Sequence, residues 1–156
     1  MAIVKPFICI RPNEQIAHRV AALPYDVYNR KEAKQEIERE PMSFLKIDRP
    51  ETNYSDDVDT YDPIVYTKAK ELLMQMREEG ILRTEERPGY YVYELVMNGR
   101  SQTGLVACAS VEDYLNNVIK KHENTREEKR WTALTMWIPV TCKLGQFFWH
   151  IALIRQ

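Results

Sequence analysis

Excess charge of either sign is missing from this 156-residue chain: 22 Lys and Arg stand against 23 Asp and Glu, a formal charge of -1. That balance removes any general electrostatic reason to meet nucleic acid or an anionic membrane, and no basic arm restores one. Cysteine is scarce. Cys9, Cys108 and Cys142 are odd in number and far apart, which fits neither a disulfide framework nor a zinc site and suits a reducing cytoplasm. Lys5, Pro6 and Pro12 break the N-terminal stretch where a signal peptide would be uninterruptedly apolar. Also lacking are a phosphate-binding glycine loop, a Gly-x-Ser-x-Gly elbow, a recognisable Cys-His pair, an internal repeat and a low-complexity tract. What is present, 44% hydrophobic and 29% charged residues with 5 Gly and 8 Pro, is the composition of one globular domain able to bury a core.

Along the first 130 residues the pattern is α+β, with a small, mostly antiparallel sheet and flanking helices. A first strand is expected over Ala2 to Ile10, stopped by Arg11-Pro12, and Asn13 can cap a short helix reaching Leu23. Pro24 forces Leu23 to Val27 to be extended or turned. Asn29 opens a helix to about Glu40, ended by Pro41, and Phe44 to Ile47 reads as a second short strand. The acidic segment from Glu51 to Asp62 reads as a surface loop. The apolar stripe Ile64, Ala69, Leu72, Leu73 and Met76, stopped by Gly80, predicts the clearest helix. Gly89 to Glu94 alternates as a strand, Asn98-Gly99 makes a hairpin turn, Ser101 to Ala109 returns, and Ser110 caps a helix through Lys121.

Two clusters are dense in chemistry. His122-Glu123-Asn124-Thr125 puts an imidazole, a carboxylate and a hydroxyl together, a set suited to proton transfer, a metal or phosphate. On residue types alone the plainer reading is favoured, in which Thr125 caps a helix and His122 and Glu123 are solvated. Pro24-Tyr25-Asp26-Val27, with Arg11 nearby in sequence, is the other cluster: Asp26 can orient a hydroxyl or ammonium group, and Arg11 can bind a carboxylate or phosphate. Its plainer reading is a tight turn in which Asp26 bonds backbone amides. Glu112-Asp113-Tyr114 reads as helix capping, and Tyr90, Tyr91 and Tyr93 as sheet packing.

Composition breaks at Trp131. Residues 1–130 hold 43 of the 45 charged side chains, whereas 131–156 hold all three tryptophans, Lys143, Arg155 and no acid. The tail could be a closing pair of strands, WTALTMWI and FFWHIALI, or a membrane anchor, against which Lys143, Gln146 and His150 count. The genetic code supplies a third reading. If one base was lost near codon 130, Trp131-Thr132 conceals an Asp, Met136-Trp137 a Val and Trp137-Ile138 another Asp. Leu144 to Ile151 then permits, and in part forces, Gly-Pro-Ile-Phe-Leu-Ala-Tyr. On that reading residues 131–156 are out of frame and the domain is incomplete.

The ordered series Phe7…Arg11-Pro12, Pro24-Tyr25-Asp26-Val27, Pro41…Phe44-Leu45, Tyr90-Tyr91-Val92-Tyr93, Thr103-Gly104-Leu105, Glu112-Asp113-Tyr114 and His122-Glu123-Asn124-Thr125 resembles the N-terminal part of the domain-of-unknown-function family 1015. In that family the His-Glu-x-Thr motif is followed by Asp-Arg and a Gly-Pro-Ile-Phe-like strand, the continuation that the hidden frame permits and in part forces. The resemblance implies a chain more than twice this length, whose missing part carries an Asp-Gly-His-His-Arg motif similar to that of the ParB-like superfamily and its free-serine kinases. It therefore implies a cytoplasmic, nucleotide-dependent phosphotransferase acting on a small hydroxy amino acid, with magnesium and nucleotide as cofactors of the intact protein. By the same resemblance His122, Glu123 and Asp26 are catalytic positions, and Arg11, Tyr25 and Thr125 bind substrate or phosphate. A chain without the His-His-Arg residues is expected to be inactive, and the alternative is a binding or regulatory module without chemistry.

Overall fold

A computed structural model describes residues 1–120 and 152–154, which divide into two compact units. One comprises 11–83; the other comprises 1–10, 84–120 and 152–154. The chain is α+β with small, mostly antiparallel sheets, as its pattern indicates.

In the unit spanning 11–83, Asn13 caps a short turn of helix by accepting from the Gln15 amide, and α1 (Ala17–Val20) follows. Helix α2 (Arg30–Arg39) starts at a reciprocal capping box, Asn29 accepting from the Glu32 amide and Glu32 from the Asn29 amide, both at 2.9 Å. The segment Phe44 to Ile47, expected as a strand, is instead helix α3 (Leu45–Asp48). An apolar run this short has no period that separates strand from helix. Here the Phe44 amide is anchored on the Val20 carbonyl, the Ser43 hydroxyl accepts from the Leu45 amide, and Leu45 and Ile47 are both buried.

Helix α4 (Pro63–Glu78) is capped by Asp62, with Pro63 at its first position, where a missing N–H costs nothing. Val65, Ala69, Leu72, Leu73 and Met76 recur at helical spacing and form the core with Leu45, Ile47 and Val20; Ile64, counted in the expected stripe, is exposed. Gly80, at φ +72°, ends the helix in the left-handed region that favours glycine. The segment expected as an acidic surface loop begins differently. Pro50–Asn53 is a 3-10 turn in which Pro50, Glu51 and Thr52 are buried.

The expected first strand is two short ones, β1 (Val4–Lys5) and β2 (Ile10–Pro12), with Phe7 bridged to Gly89 between them. Thus Arg11-Pro12 belongs to a strand rather than stopping one. Strand β2 pairs with β3 (Leu82–Thr84), and the division between the units falls within these two strands. Strands β4 (Tyr91–Met97) and β5 (Arg100–Val106) form a hairpin of seven paired positions. Its turn, Asn98 at φ 51° and Gly99 at φ 74°, has the backbone twist that matches two right-twisted strands. Strand β6 (Cys108–Ser110) pairs antiparallel with β1 and parallel with β7 (Ala152–Ile154). Ser110 caps α5 (Val111–Leu115), which is shorter than expected: it closes at Asn116, and Asn117 adopts φ 58°.

Candidate active site around the Pro24–Val27 turn

Pro24 holds an extended ψ of 139°, and Tyr25–Val27 then closes a single 3-10 turn in which the Val27 amide donates to the Pro24 carbonyl at 3.0 Å. The turn is fastened from outside. Arg49 Nη1 donates to the carbonyl of Tyr25 at 2.9 Å and to that of Tyr28 at 2.7 Å, bracketing the motif. The same guanidinium is fixed by Glu51: Nε lies 2.5 Å from Oε1, and the Glu51 side chain is only 1% exposed. A planar guanidinium suits this task because its donors diverge at fixed angles, one toward the carboxylate and another toward the two carbonyls.

Glu51 is held at its backbone as well. Arg30, the first residue of α2, donates to the carbonyls of Glu51 and Val58 at 2.9 Å and of Ser55 at 2.7 Å, and its Nε lies 3.5 Å from Asp56. Arg30 therefore folds the segment after Pro50 onto α2, placing Glu51 where it can hold Arg49. Arg49 in turn fixes the Pro24–Val27 backbone.

That arrangement leaves the chemistry of the turn exposed. Tyr25 and Asp26 both face solvent, and the Asp26 carboxylate makes no hydrogen bond or ion pair among the described residues. The plainer expectation, that Asp26 closes the turn by accepting backbone amides, gives way to Arg49 in that role. An exposed carboxylate on a rigidly held backbone can accept a proton, orient a hydroxyl or ammonium group, or supply one oxygen to a divalent cation. Beside the turn lies an open groove of about 450 Å³ lined by Val27, Tyr28, Glu32, Gln35, Glu36 and Arg39. In it Arg39 is paired with Glu36, and its charge and hydrogen bond hold the Glu36 carboxyl below the usual carboxylate range.

Arg11 stands on β2 and donates to Glu14 at 2.9 Å, and Arg83 of β3 reaches the same Glu14 oxygen at 3.1 Å. Hydrogen bonding to Arg11, then the charges of Arg11 and Arg83, lower the Glu14 pKa. Two guanidiniums thus converge on one carboxylate oxygen, the kind of planar, charge-assisted contact that arginine also offers to a phosphate or carboxylate. No hydrogen bond or ion pair joins Arg11 to Tyr25 or Asp26 among the described residues. His122, Glu123 and Thr125 lie outside the described residues.

Sequence reasoning missed Arg30, Asp48, Arg49 and Glu51. The run Asp48-Arg49-Pro50-Glu51, opposite charges flanking a proline, was the available signal. Asp48, at the end of α3, is half-buried without a hydrogen-bond or ion-pair partner among the described residues, and burial pushes its carboxyl up to about 7. Among the described residues there is no cluster of His, Cys, Asp or Glu that could hold a metal by itself, and no helix is long and apolar enough to cross a membrane.

Fold and site together define an α+β protein with an arginine-braced acidic turn. The family model described as protein of unknown function (DUF1015) matches residues 4–148, and the chain belongs to that family. No curated protein and no solved structure matches it.

Proposed function

We propose that this chain is the N-terminal part of a nucleotide-dependent small-molecule phosphotransferase whose acceptor is a small hydroxy amino acid, and that the chain alone does not turn over. The observation that carries the reading is the braced turn: two half-buried arginines and a buried glutamate hold a backbone whose own carboxylate, Asp26, is exposed and has no hydrogen-bond or ion-pair partner among the described residues. A group whose only job was to close the turn would be bonded within it.

In the proposed reaction the acceptor hydroxyl oxygen bonds to the terminal phosphorus as the bridging P–O bond breaks, and the hydroxyl proton passes to a carboxylate. Asp26 is assigned to orient the acceptor and take that proton, and Arg11 to bind phosphate or the acceptor carboxylate, with Tyr25 beside them. By the family resemblance His122 and Glu123 are assigned catalytic roles and Thr125 a substrate- or phosphate-binding one. A magnesium nucleotide, when bound, supplies the phosphoryl group and offsets its charge. The described residues fit such a group in part: Arg11 carries a guanidinium of the kind that binds phosphate, engaged here with Glu14, while Asp26 offers one oxygen ligand rather than a set. The remaining contacts are assigned to the missing downstream part, and residues 131–156 to a displaced reading frame.

The test begins with the nucleotide sequence from codon 125 past the stop. A one-base shift that opens a frame reading Asp-Arg, Gly-Pro-Ile-Phe and later Asp-Gly-His-His-Arg supports the proposal. The restored protein, but not this chain, should then consume ATP, ADP or CTP in the presence of a hydroxy amino acid. A restored protein that neither binds nor turns over nucleotide refutes the phosphotransferase reading and favours a binding module. The absence of any such frame makes the tail native and refutes the truncation.

A further inference from the structure

We propose that this chain pairs with a second copy of itself through the outer edge of β5, forming a four-stranded antiparallel sheet about a dyad at Thr103. The inference is independent of the phosphotransferase reading. The β4–β5 hairpin is a two-stranded ribbon, and such a ribbon is marginal in water unless further strands or a helix cover it. Its apolar side chains are uncovered: Val92 is 74% exposed, Val96 68% and Leu105 65%. None of residues 100–106 makes a hydrogen bond beyond the hairpin among the described residues; the Ser101 hydroxyl is taken up by Glu94 across the ribbon.

The phase of the ladder shows what β5 can offer. The two-residue turn makes Met97 and Arg100 a hydrogen-bonded pair, so Leu95 with Gln102 and Tyr93 with Gly104 are hydrogen-bonded pairs too. The backbone groups of Ser101, Thr103 and Leu105 therefore point away from β4. About a dyad at Thr103, that residue meets its own copy and Ser101 meets Leu105 of the second copy, each pair exchanging two N–H···O=C bonds. Thr against Thr is a favourable cross-strand pair, and no like charges are opposed. One face then aligns Val92, Leu105, the second copy's Ser101 and its Val96 in a single row.

Charge selects β5 over β4. The equivalent dyad on the β4 edge falls at Glu94 and would set two carboxylates against each other, which is destabilising. Strand β5 has none of the devices that keep sheet edges apart: it has no proline, no lysine and no bulge, and its one charge, Arg100, sits at its end.

Hydrogen exchange of the full chain at rising protein concentration, read residue by residue beside sedimentation, tests this without any variant. Expected are a monomer–dimer equilibrium and slowing with concentration at the amides of Ser101, Thr103 and Leu105, while Gln102 and Gly104, bonded within the hairpin, are slow throughout. Thr103→Lys, a change at an exposed position, should weaken association by about tenfold or more by opposing two ammonium groups at the dyad. A chain that stays monomeric, or a dimer that survives Thr103→Lys, overturns the proposal. So does concentration-dependent protection at Val92, Glu94 and Val96 instead.

Discussion

Replacing Glu51 with Gln tests the brace directly, because it deletes a charge while keeping shape and one acceptor oxygen. Glu51 is 1% exposed and the Arg49 side chain 16%, so the carboxylate has no water to fall back on and the guanidinium has little. Breaking a buried pair by removing one partner costs about 3–5 kcal/mol, chiefly because the surviving charge stays desolvated. Arg49 keeps the Tyr25 and Tyr28 carbonyls at 2.9 and 2.7 Å, and the glutamine oxygen can still accept from Nε, which lowers the expected loss to about 2–3 kcal/mol. Equilibrium urea unfolding followed by circular dichroism should show a fall in midpoint of roughly 1–1.5 M, for a slope of about 2 kcal/mol/M. The loss should also be local. The Val27 amide, bonded to the Pro24 carbonyl, should exchange faster than amides in the middle of α4. A Glu51→Gln protein within about 0.5 kcal/mol of the parent, with unchanged exchange at Val27, would show that the ion pair does not hold the turn.

Asp48 gives a prediction in pH. Its folded carboxyl titrates at about 7, against an ordinary value of 3.8, so the folded protein retains a proton that the unfolded chain releases. Stability therefore falls as pH rises from about 4 to 7 and is lowest above that window. Asp48→Asn should flatten this slope and stabilise the protein at pH 8, by at most about 4 kcal/mol at 1.36 kcal/mol per pKa unit; an unchanged slope in urea titrations at pH 4.5 and 8 refutes it. Asp26→Asn should leave the unfolding midpoint unchanged, since the carboxylate has no hydrogen-bond or ion-pair partner among the described residues, yet lower turnover of the restored protein by about 10²-fold or more. Equal loss of stability would reassign Asp26 to the fold. Asn29→Ala should cost about 1 kcal/mol through loss of the α2 cap, measured by the same urea titration, and Asn29→Ser should recover most of it.

Elements whose cause is local were legible in the sequence. Asn29 at the start of α2, the apolar stripe of α4 with Gly80 after it, and Asn98-Gly99 between alternating strands each place their own physical reason within or beside the feature they make. Elements decided by distant partners were not. Phe44 to Ile47 is helical because Val20 anchors Phe44 and α4 supplies an apolar wall, and neither is visible in four residues of sequence. Glu51 is buried in an acidic stretch because Arg30 and Arg49 reach it from 21 and two positions away.

The same division separates the parts of the candidate site. Pro24, Tyr25 and Asp26 stand out by residue type, whereas Arg49, which fixes them, carries no such signal, and Glu51, which holds Arg49, opens the segment that composition labels as a surface loop. A carboxylate that must meet a substrate cannot also close its own turn, because each oxygen engaged with a backbone amide is lost to a ligand. The constraint has to come from elsewhere, and a guanidinium supplies it without competing for Asp26, having donors and no acceptors. Arg49 needs a counter-ion of its own, and Glu51 meets that need from within the fold, leaving the surface charge of Asp26 uncompensated. A buried carboxylate and a half-buried guanidinium thus do the fastening while Asp26 stays exposed, which is why loss of Glu51 should cost stability and, on the proposed reading, loss of Asp26 should cost function.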